Sequence, residues 1–333
     1  VSPVNGVNGW DWCSGYHYSE STAVGFSHLS LSGTGIGDLA DILFMPINRA
    51  VDLEKKTKSR DEIVYKSSYS HNNEKSSPGY YQVFLEDHDV NVELTTTKRT
   101  AYHKYTFKKE DQQSVIIDLG FAINWDSALE TSLNIEDDYT ISGYRFSTGW
   151  AKNQKVFFVA KFSKPITSHK LFADNNKIEG DNTKASKVSS QLFFNSEDNN
   201  ELLVKVALSS VSIDNAKGNL KAGDFNFETI KTETENIWNS TLAKIQVETP
   251  VDSLKTIFYT AMYHAQLAPV TYSDANGEFR KENDEIVKAS NYTAYSTLSL
   301  WDTFRAEQPL LTLVAPIKVS DIIISMISEL AMI

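Results

Sequence analysis

The chain has 333 residues, with 32 Lys and Arg against 43 Asp and Glu, which gives a formal net charge of −11. Such a charge repels phosphate groups, so it disfavours sequence-independent nucleic-acid binding and favours a neutral or cationic partner. No apolar run approaches the ~20 residues that a membrane-spanning helix needs. The single cysteine, Cys13, excludes an internal disulfide. The length exceeds the roughly 250 to 300 residues at which one core stops growing, so we expect two domains.

The first two thirds of the chain predict an antiparallel β-sandwich, which we place at residues 1–210. Segments rich in Val, Ile, Thr, Tyr and Phe, many of them alternating with polar residues, are separated by Asn, Asp, Gly and Ser. Such a series without long intervening helices is typical of a sandwich, and we expect 173–186 to be a polar loop. We expect about ten strands, examples of which are 79–87, 90–98, 100–108, 114–120, 139–149, 155–163 and 201–210.

From about Val211 the spacing of apolar residues changes to that of helices. Residues 227–245 place their apolar side chains on one helical face, which predicts a helix. We therefore expect a helical linker at 211–249 and the start of a helical domain at 250–333.

Three more helices are predicted in that domain. The first is expected to begin with Thr249 as its cap and Pro250 in its first turn. The second covers 299–316 and should break near Pro309. The third covers 320–333 and is apolar to its last residue, from which we expect the helical domain to be incomplete in this chain.

Two motifs resemble ligand-binding sites, one for a nucleotide and one for a metal ion, but a structural role explains both better. The loop 32–38, "SGTGIGD", has Asp38 where a dinucleotide fingerprint needs its third glycine, and it lacks the Lys-Ser/Thr pair of a phosphate loop. We expect a glycine-permitted turn beside a strand at 41–46. His17, His28, Asp38 and Asp41 are spaced irregularly for a metal site, so structural polar groups are the favoured interpretation.

The stretch 9–18, "GWDWCSGYHY", is rich in aromatic rings with polar edges. Such rings recognise a ligand that is apolar on one face and hydroxylated at its rim, as a sugar is. The alternative is that they are buried aromatics of the sandwich. Gly9 and Gly15 favour a loop, and hence the sugar-binding hypothesis.

Asp302 and Arg305 are three residues apart on a predicted helix, beside Trp301 and Phe304. A surface ion pair, worth only about 0.3 to 0.5 kcal/mol, is the simpler interpretation. The functional alternative is a site where a carboxylate and a guanidinium bind neighbouring sugar hydroxyls, each of which both donates and accepts hydrogen bonds.

Four stretches together resemble glycoside hydrolase family 92, the calcium-dependent exo-acting α-mannosidases. They are "GWDWCSGYHYSESTAVGFSH", "LSGTGIGDLADILFMP", "DSLKTIFYTAMYHAQLAPVTYSDANGEFR" and "YSTLSLWDTFRAEQPLLTL". The resemblance implies a β-sandwich, a helical linker and an α/α toroid, of which this chain would hold only the first helices. Ser30 stands where the family often has a second histidine.

The resemblance also implies a chemistry and a division of roles. Family members cleave terminal α-linked mannose with inversion, using a carboxylic acid and a carboxylate base. Both catalytic groups and most calcium ligands are expected in the later toroid, so we expect no catalytic or metal-ligating residue in this chain, which alone should be inactive. The residues expected to bind mannose are, in order, Asp302, Trp12, Arg305, Cys13, His17 and Trp10.

Mannose-terminated glycans are the implied partners, with α-1,2 linkages as the first candidate, and an exported, periplasmic or extracellular location follows from the resemblance alone. Two alternatives of other classes remain. One is a noncatalytic carbohydrate-binding β-sandwich module, because sandwiches often present aromatic platforms to glycans. The other is an interaction scaffold without a sugar site.

Overall fold

The computed structural model describes residues 2–3, 15–31, 37–55, 62–108, 112–123, 125–196, 199–220, 223 and 225–330. The strands of the first part are β1 (Ser2–Pro3), β2 (Thr22–Gly25), β3 (Leu43–Ile47), β4 (Ser67–Ser68), β5 (Glu74–Ser77), β6 (Tyr80–Leu85), β7 (Val90–Thr96), β8 (Thr100–Phe107), β9 (Gln113–Asp118), β10 (Ser127–Asp137), β11 (Thr140–Thr148), β12 (Gln154–Phe162), β13 (Ile166–Ala173), β14 (Asn176–Ile178), β15 (Asn182–Ala185), β16 (Val188–Phe194) and β17 (Glu201–Ser209). A short 3-10 helix, His71–Asn73, precedes β5.

Helices and two small two-stranded sheets follow the last of these strands. Their elements are α1 (Ile213–Asn219), α2 (Phe227–Leu242), α3 (Asp252–His264), β18 (Val270–Thr271), β19 (Glu278–Arg280), β20 (Ile286–Lys288), β21 (Tyr295–Ser296), α4 (Leu300–Thr303), α5 (Glu307–Val314) and α6 (Pro316–Leu330). The two sheets pair β18 with β21 and β19 with β20. The predicted change from strands to helices near Val211 is confirmed.

Two antiparallel sheets form the sandwich. The larger has nine strands in the order β15-β10-β11-β12-β17-β8-β7-β6-β5, and the smaller has five in the order β14-β13-β16-β9-β3. Apolar side chains of both sheets form one core cluster, in which Val92 and Phe158 of the larger sheet accompany Phe44 and Leu192 of the smaller. Alternation along β8 places Tyr105 and every second neighbour on that core face, as the pleat of a strand requires.

All seven example segments contain strands, and β3 lies at the strand predicted over 41–46. The predicted loop at 173–186 is wrong, because it contains β14 and β15 at the outer edges of the two sheets. Their side chains are mostly exposed and polar, so they lack the apolar alternation that marks a half-buried strand.

Two predicted helix boundaries differ from the structure. The N-cap of α3 is Val251, which makes no capping side-chain bond, whereas Thr249 was expected to cap. The Thr249 hydroxyl instead accepts the Val251 N–H at 3.2 Å. The helix expected over 299–316 is broken between α4 and α5 and not at Pro309, which lies in the first turn of α5. A proline there removes an N–H that has no helical partner anyway.

The segment after α3 is joined to the sandwich by a polar junction. The Asp274 carboxylate accepts hydrogen bonds from Ser209 Oγ at 2.6 Å, Asn219 Nδ2 at 2.6 Å and Asn215 Nδ2 at 2.9 Å. Lys155 Nζ lies 2.6 Å from a carboxylate oxygen of Asp284 in the β19–β20 hairpin. These contacts hold the hairpin against β12 and β17, while the exact domain limits at 210 and 249 stay a prediction.

In the part of the chain that the structure describes, none of the helices combines the length and apolarity needed to cross a bilayer.

Candidate functional site

Three of the expected sugar-binding residues, Trp10, Trp12 and Cys13, lie outside the described residues. The described residues resume at Gly15, whose φ of +84° falls in the left-handed region that glycine adopts without strain. A loop conformation at this position agrees with the prediction made from the glycines of the stretch.

The segment that follows Gly15 is anchored to the sandwich through Glu74. Tyr16 Oη donates to Glu74 Oε2 at 3.1 Å, and His71 Nδ1 donates to the same oxygen at 2.6 Å. His71 Nε2 donates to the Tyr18 carbonyl at 2.5 Å, and the two rings stack with centroids 4.1 Å apart. Residues 16–18 are therefore held in place by side chains of the 3-10 helix and of β5.

The protonation states of the side chains around Glu74 agree with the directions of their hydrogen bonds. Both ring nitrogens of His71 face acceptors, and the hydrogen bond to Glu74 raises the pKa of His71. Burial, together with Glu74, raises the pKa of Tyr16 and of Tyr81, which donates to Glu74 Oε1 at 2.6 Å. The two phenols therefore stay protonated donors, and Glu74 accepts three hydrogen bonds.

His17 lies half-buried within a turn of the same segment. Its Nδ1 accepts the backbone N–H of Ser19 at 3.2 Å and lies 2.8 Å from the Ser19 hydroxyl. A contact between His17 and a sugar stays a prediction.

Asp302 and Arg305 are exposed around the short interval that separates α4 from α5. Within the described residues they form no ion pair with each other, so the surface-pair interpretation is wrong. Asp302 Oδ2 accepts a short hydrogen bond from the Ser299 hydroxyl. The Arg305 guanidinium lies 5.4 Å from the Phe304 ring centroid, and the neighbouring Trp301 is 88% exposed.

The structure thus presents a carboxylate, a guanidinium and aromatic faces together on one exposed segment. Such a set can bind hydroxyl groups in a plane and stack on an apolar ring face. The expected convergence of Trp12 and Asp302 on one hexose stays a prediction, because Trp12 lies outside the described residues.

Metal binding was considered for His17, His28, Asp38 and Asp41. Asp38 is buried and accepts the backbone N–H groups of Leu39 at 3.0 Å and Ala151 at 2.9 Å. Over the described ranges, no group of three or more His, Cys, Asp or Glu side chains is placed to hold a metal ion. The described residues therefore do not fit a calcium site.

His28 is a structural polar group, as the sequence interpretation favoured, and belongs to a chain of hydrogen bonds in the core whose other members, His103 and Tyr105, were not predicted. His28 Nδ1 lies 2.6 Å from the Ile42 carbonyl, so this nitrogen carries the proton. His103 Nε2 then donates to His28 Nε2 at 3.1 Å, and the Tyr105 hydroxyl donates to His103 Nδ1 at 2.6 Å. Burial lowers the pKa of His28 to about 4 and that of His103 well below its ordinary value, so both rings are neutral.

A buried ion cluster around Arg145 was missed as well. The side chain is fully buried, and Nη1 donates to Asp41 Oδ1 at 2.6 Å while Nη2 donates to Asp126 Oδ2. Nε donates to the Leu119 carbonyl at 3.0 Å. The two carboxylates raise the pKa of Arg145 against its burial, and burial raises the pKa of Asp126 to about 6. The strand pleat was a usable signal, because Arg145 shares its face of β11 with the buried Ile141.

The described residues thus form a β-sandwich followed by helices, with an exposed carboxylate and guanidinium beside aromatic rings, a set of groups that suits a neutral hydroxylated ligand. Two family models match the chain in order. The Glycosyl hydrolase family 92 N-terminal domain matches residues 1–209, and the Glycosyl hydrolase family 92 catalytic domain matches residues 215–331. The chain belongs to glycosyl hydrolase family 92.

Solved structures and a curated relative agree with this assignment. A family GH92 α-mannosidase of Bacteroides thetaiotaomicron superposes with a TM-score of 0.90 at 34% identity, over 96% of this chain and 44% of that one. A GH92 inverting mannosidase of Bacteroides thetaiotaomicron VPI-5482 gives a TM-score of 0.75 at 23% identity, over 93% and 41%. An uncharacterized secreted glycosidase of Arthroderma benhamiae is 23% identical over 82% of this chain and 39% of that protein. The chain therefore spans less than half the length of these relatives.

The comparisons also test the fold class. The predicted antiparallel sandwich followed by a helical linker and the first helices of an α/α toroid is confirmed as the organisation of this family.

Proposed function

We propose that this chain is part of an exo-α-mannosidase that removes terminal α-linked mannose from glycans with inversion, with α-1,2 linkages as the first candidate. The observation that carries the proposal is the 34% identity and TM-score of 0.90 to a family 92 α-mannosidase over 96% of the chain. A solved complex of that Bacteroides thetaiotaomicron α-mannosidase contains mannoimidazole. The A. benhamiae relative, which is named as secreted, supports an exported location.

Inverting hydrolysis needs two carboxyl groups on opposite faces of the sugar. One protonates the leaving oxygen, and the other activates water, which requires a separation of about 6.5 to 9.5 Å. We place both groups outside these 333 residues. The role of this chain is then to bind and orient the terminal mannose. Calcium, when bound in the family, would coordinate sugar hydroxyls, but the described residues supply no site for it, and no step here depends on it.

Asp302 is the residue we expect to contribute most to mannose binding. Its Oδ2 is oriented by Ser299, while Oδ1 receives no hydrogen bond from the described residues and can accept one from a sugar hydroxyl. A charge-assisted hydrogen bond of this kind is worth about 1.5 to 3 kcal/mol. The carboxylate therefore has both the orientation and the free acceptor that recognition of a hydroxyl requires.

Arg305 and Trp301 extend the same surface. The Arg305 guanidinium lies 5.4 Å from the Phe304 ring centroid, and the exposed side chain carries N–H donors suited to hydroxyl oxygens. The exposed indole of Trp301 offers an apolar face to the C–H side of a pyranose. Trp10, Trp12, Cys13 and His17 are proposed to close the subsite from the sandwich side.

The test is hydrolysis of α-1,2-mannobiose by the full-length protein, followed by proton NMR. Inversion requires β-mannose to appear first, and first-formed α-mannose or no release of mannose would refute the proposal. In the same protein, Asp302→Asn is expected to lower kcat/KM by roughly 10- to 100-fold. Asp252→Asn, at an exposed position in the first turn of α3, is the matched control and should leave kcat/KM unchanged.

The 333-residue chain on its own is expected to release no mannose, because the general acid and base are placed elsewhere. Steady release of mannose by this chain alone would show that the catalytic carboxylates lie within it, and would overturn the division of roles while leaving the substrate assignment intact.

A further inference from the structure

A series of buried hydrogen bonds joins the sandwich to the segment that carries Asp302. The series begins at Asp274, which lies between β18 and β19 and is 4% exposed. Its Oδ2 accepts hydrogen bonds from Ser209 Oγ at 2.6 Å and Asn215 Nδ2 at 2.9 Å. Its Oδ1 accepts one from Asn219 Nδ2 at 2.6 Å. Both carboxylate oxygens are thus bound to the end of β17 and to α1.

Asn219 holds the loop around Asp274 from a second direction. Its Oδ1 accepts the Ala275 N–H at 2.7 Å, and its Nδ2 also donates to the Leu208 carbonyl of β17 at 2.8 Å. The Gly277 N–H donates to the Asp274 carbonyl at 2.9 Å and closes the turn. Because Asn219 and Asp274 are both buried, a displacement of the loop leaves polar atoms without a protein partner and without water. The loop is therefore fixed on β17 and α1.

Ser273, the residue before Asp274, extends these contacts to the start of β21. Its Oγ accepts the Ala294 N–H at 3.2 Å, and its N–H donates to the Ala294 carbonyl at 3.2 Å. The Tyr295 N–H, next along the chain, donates to Ser325 Oγ of α6 at 3.0 Å. Ser273, Ala294 and Ser325 are all buried. The start of β21 is thus bound both to the Asp274 loop and to α6.

The strand β21 leads directly into the proposed mannose subsite. It is separated from α4 by residues 297–299 alone. Leu298 packs against the apolar cluster of α5 and α6 that contains Leu311. Ser299 donates the hydrogen bond that orients Asp302. This series of hydrogen bonds and packing contacts therefore links the position of Asp302 to that of the sandwich.

We propose that Asp274 is a positioning residue for the mannose subsite, because its hydrogen bonds to β17 and α1 set where the segment 299–305 lies relative to the sandwich. The inference rests on the proposed function, in which Asp302 binds mannose, and it gives Asp274 no contact with the sugar. Misplacing a binding group by about 1 Å costs as much as ~100-fold in rate, so a residue that fixes its segment affects turnover without touching substrate. The alternative is that Asp274 only stabilises the fold.

The experiment measures backbone hydrogen–deuterium exchange and steady-state kinetics of the full-length protein and its Asp274→Asn variant. An amide has one acceptor oxygen in place of two, and its NH2 group would face the amide donors of Asn215 or Asn219, so part of the junction is lost. We expect exchange of the backbone amides at 293–305 to rise about tenfold. The KM for α-1,2-mannobiose should rise about tenfold, while kcat changes by less than about twofold.

Two further variants complete the experiment. Ser273→Ala removes the acceptor of the Ala294 N–H and leaves the carboxylate junction intact, so exchange at 293–305 should rise by a smaller factor of about three. The substitution removes one small buried hydroxyl, so the fold should be retained. Asp284→Asn is the matched control, because it weakens an exposed contact between the β19–β20 hairpin and the sandwich. It should leave both the exchange at 293–305 and the KM unchanged.

Three results would overturn the proposal. Unchanged exchange at 293–305 in Asp274→Asn would show that the junction does not hold this segment. Raised exchange there with an unchanged KM would leave Asp274 a role in stability alone. A rise spread equally over β8 and β11, in both Asp274→Asn and Ser273→Ala, would indicate a general loss of stability. If the unmodified protein releases no mannose, the proposed function fails instead, and the exchange at 293–305 decides separately whether Asp274 holds the segment.

Discussion

Replacing His28 tests the interpretation that the core imidazoles are neutral, and we predict the effect of His28→Gln on the free energy of unfolding as a function of pH. A histidine with an ordinary pKa of 6.5 in the unfolded chain and a pKa of about 4 in the fold binds its proton more readily when unfolded. As the pH falls from 6.5 to about 4, the unfolded state therefore takes up a proton that the folded state does not, and the free energy of unfolding decreases. Above pH 6.5 the histidine is neutral in both states, and its titration has no effect.

The size of the effect follows from the two pKa values. Their difference corresponds to about 3 kcal/mol as an upper bound, and we expect about 2 kcal/mol because His28 keeps part of its surface in water. Gln can still donate to the Ile42 carbonyl but cannot take up a proton. The stability advantage of the unmodified chain over His28→Gln should thus shrink by about 2 kcal/mol from pH 7.5 to pH 4.

The assay is urea unfolding at a series of pH values, followed by tryptophan fluorescence, with the difference between the two proteins as the readout. The difference in unfolding free energy between the two proteins cancels the contributions of titrating groups that both contain. One of these is Asp126, whose raised pKa of about 6 gives a pH dependence of the opposite sign. A difference that stays constant within about 0.5 kcal/mol, or grows as the pH falls, would refute the neutral imidazole chain.

Four further variants, of which Gly218→Ala is a control, test other parts of the fold by the same unfolding measurement. His71→Gln should destabilise the protein below pH 6.5, where the charged His71 pairs with Glu74 in the unmodified chain. The loss of stability should fade as the pH rises through the raised pKa of His71, because the imidazole then loses its charge. A loss of stability that does not depend on pH would refute this assignment. Arg145→Met should cost about 3 to 5 kcal/mol, since it leaves two buried carboxylates unpaired, and near-native stability would show that they are protonated without it. Gly143→Ala should lower the free energy of unfolding by about 3 kcal/mol or more, because its Cβ would lie 2.0 Å from a carbonyl oxygen of the neighbouring strand. Gly218→Ala is the control: its Cβ would enter open space, so the stability should stay unchanged or rise by up to about 1 kcal/mol. Equal stabilities of the two variants would contradict the register of β10 and β11.

Sequence patterns predicted the strands that bury one face against the core, and they failed for strands that expose most of their side chains on both faces. The central strands alternate clearly because one face meets the core, as in β8 and β11. The edge strands β14 and β15 expose most of their side chains, so no period distinguishes them from a loop. The break between α4 and α5 was misplaced because Pro309 is the strongest local helix breaker in the sequence, yet a first turn accepts it.

The candidate site was predictable in residue type and only partly in arrangement. Asp302, Arg305 and Trp301 are grouped on one exposed segment, as their spacing required, but the ion pair expected of neighbours on a helix is absent from these described residues. The helix α4 ends at Thr303, so the geometry that brings residues three apart together does not extend to Arg305. Ser299 orients Asp302 through a hydrogen bond. This contact depends on the local backbone conformation, which no sequence pattern specified.

The buried polar groups of the sandwich are better explained by positioning than by stability. A buried ion pair loses so much solvation that apolar residues of similar volume would stabilise a core equally well or better. Arg145 nevertheless lies in the core, and its carboxylate partner Asp126 is adjacent in sequence to Trp125. The same end of the sheet holds Asp38, which fixes the turn of Trp150 through a backbone N–H. Within the described residues, two buried carboxylates of the core, Asp38 and Asp126, are thus tied to the backbone next to Trp150 and Trp125.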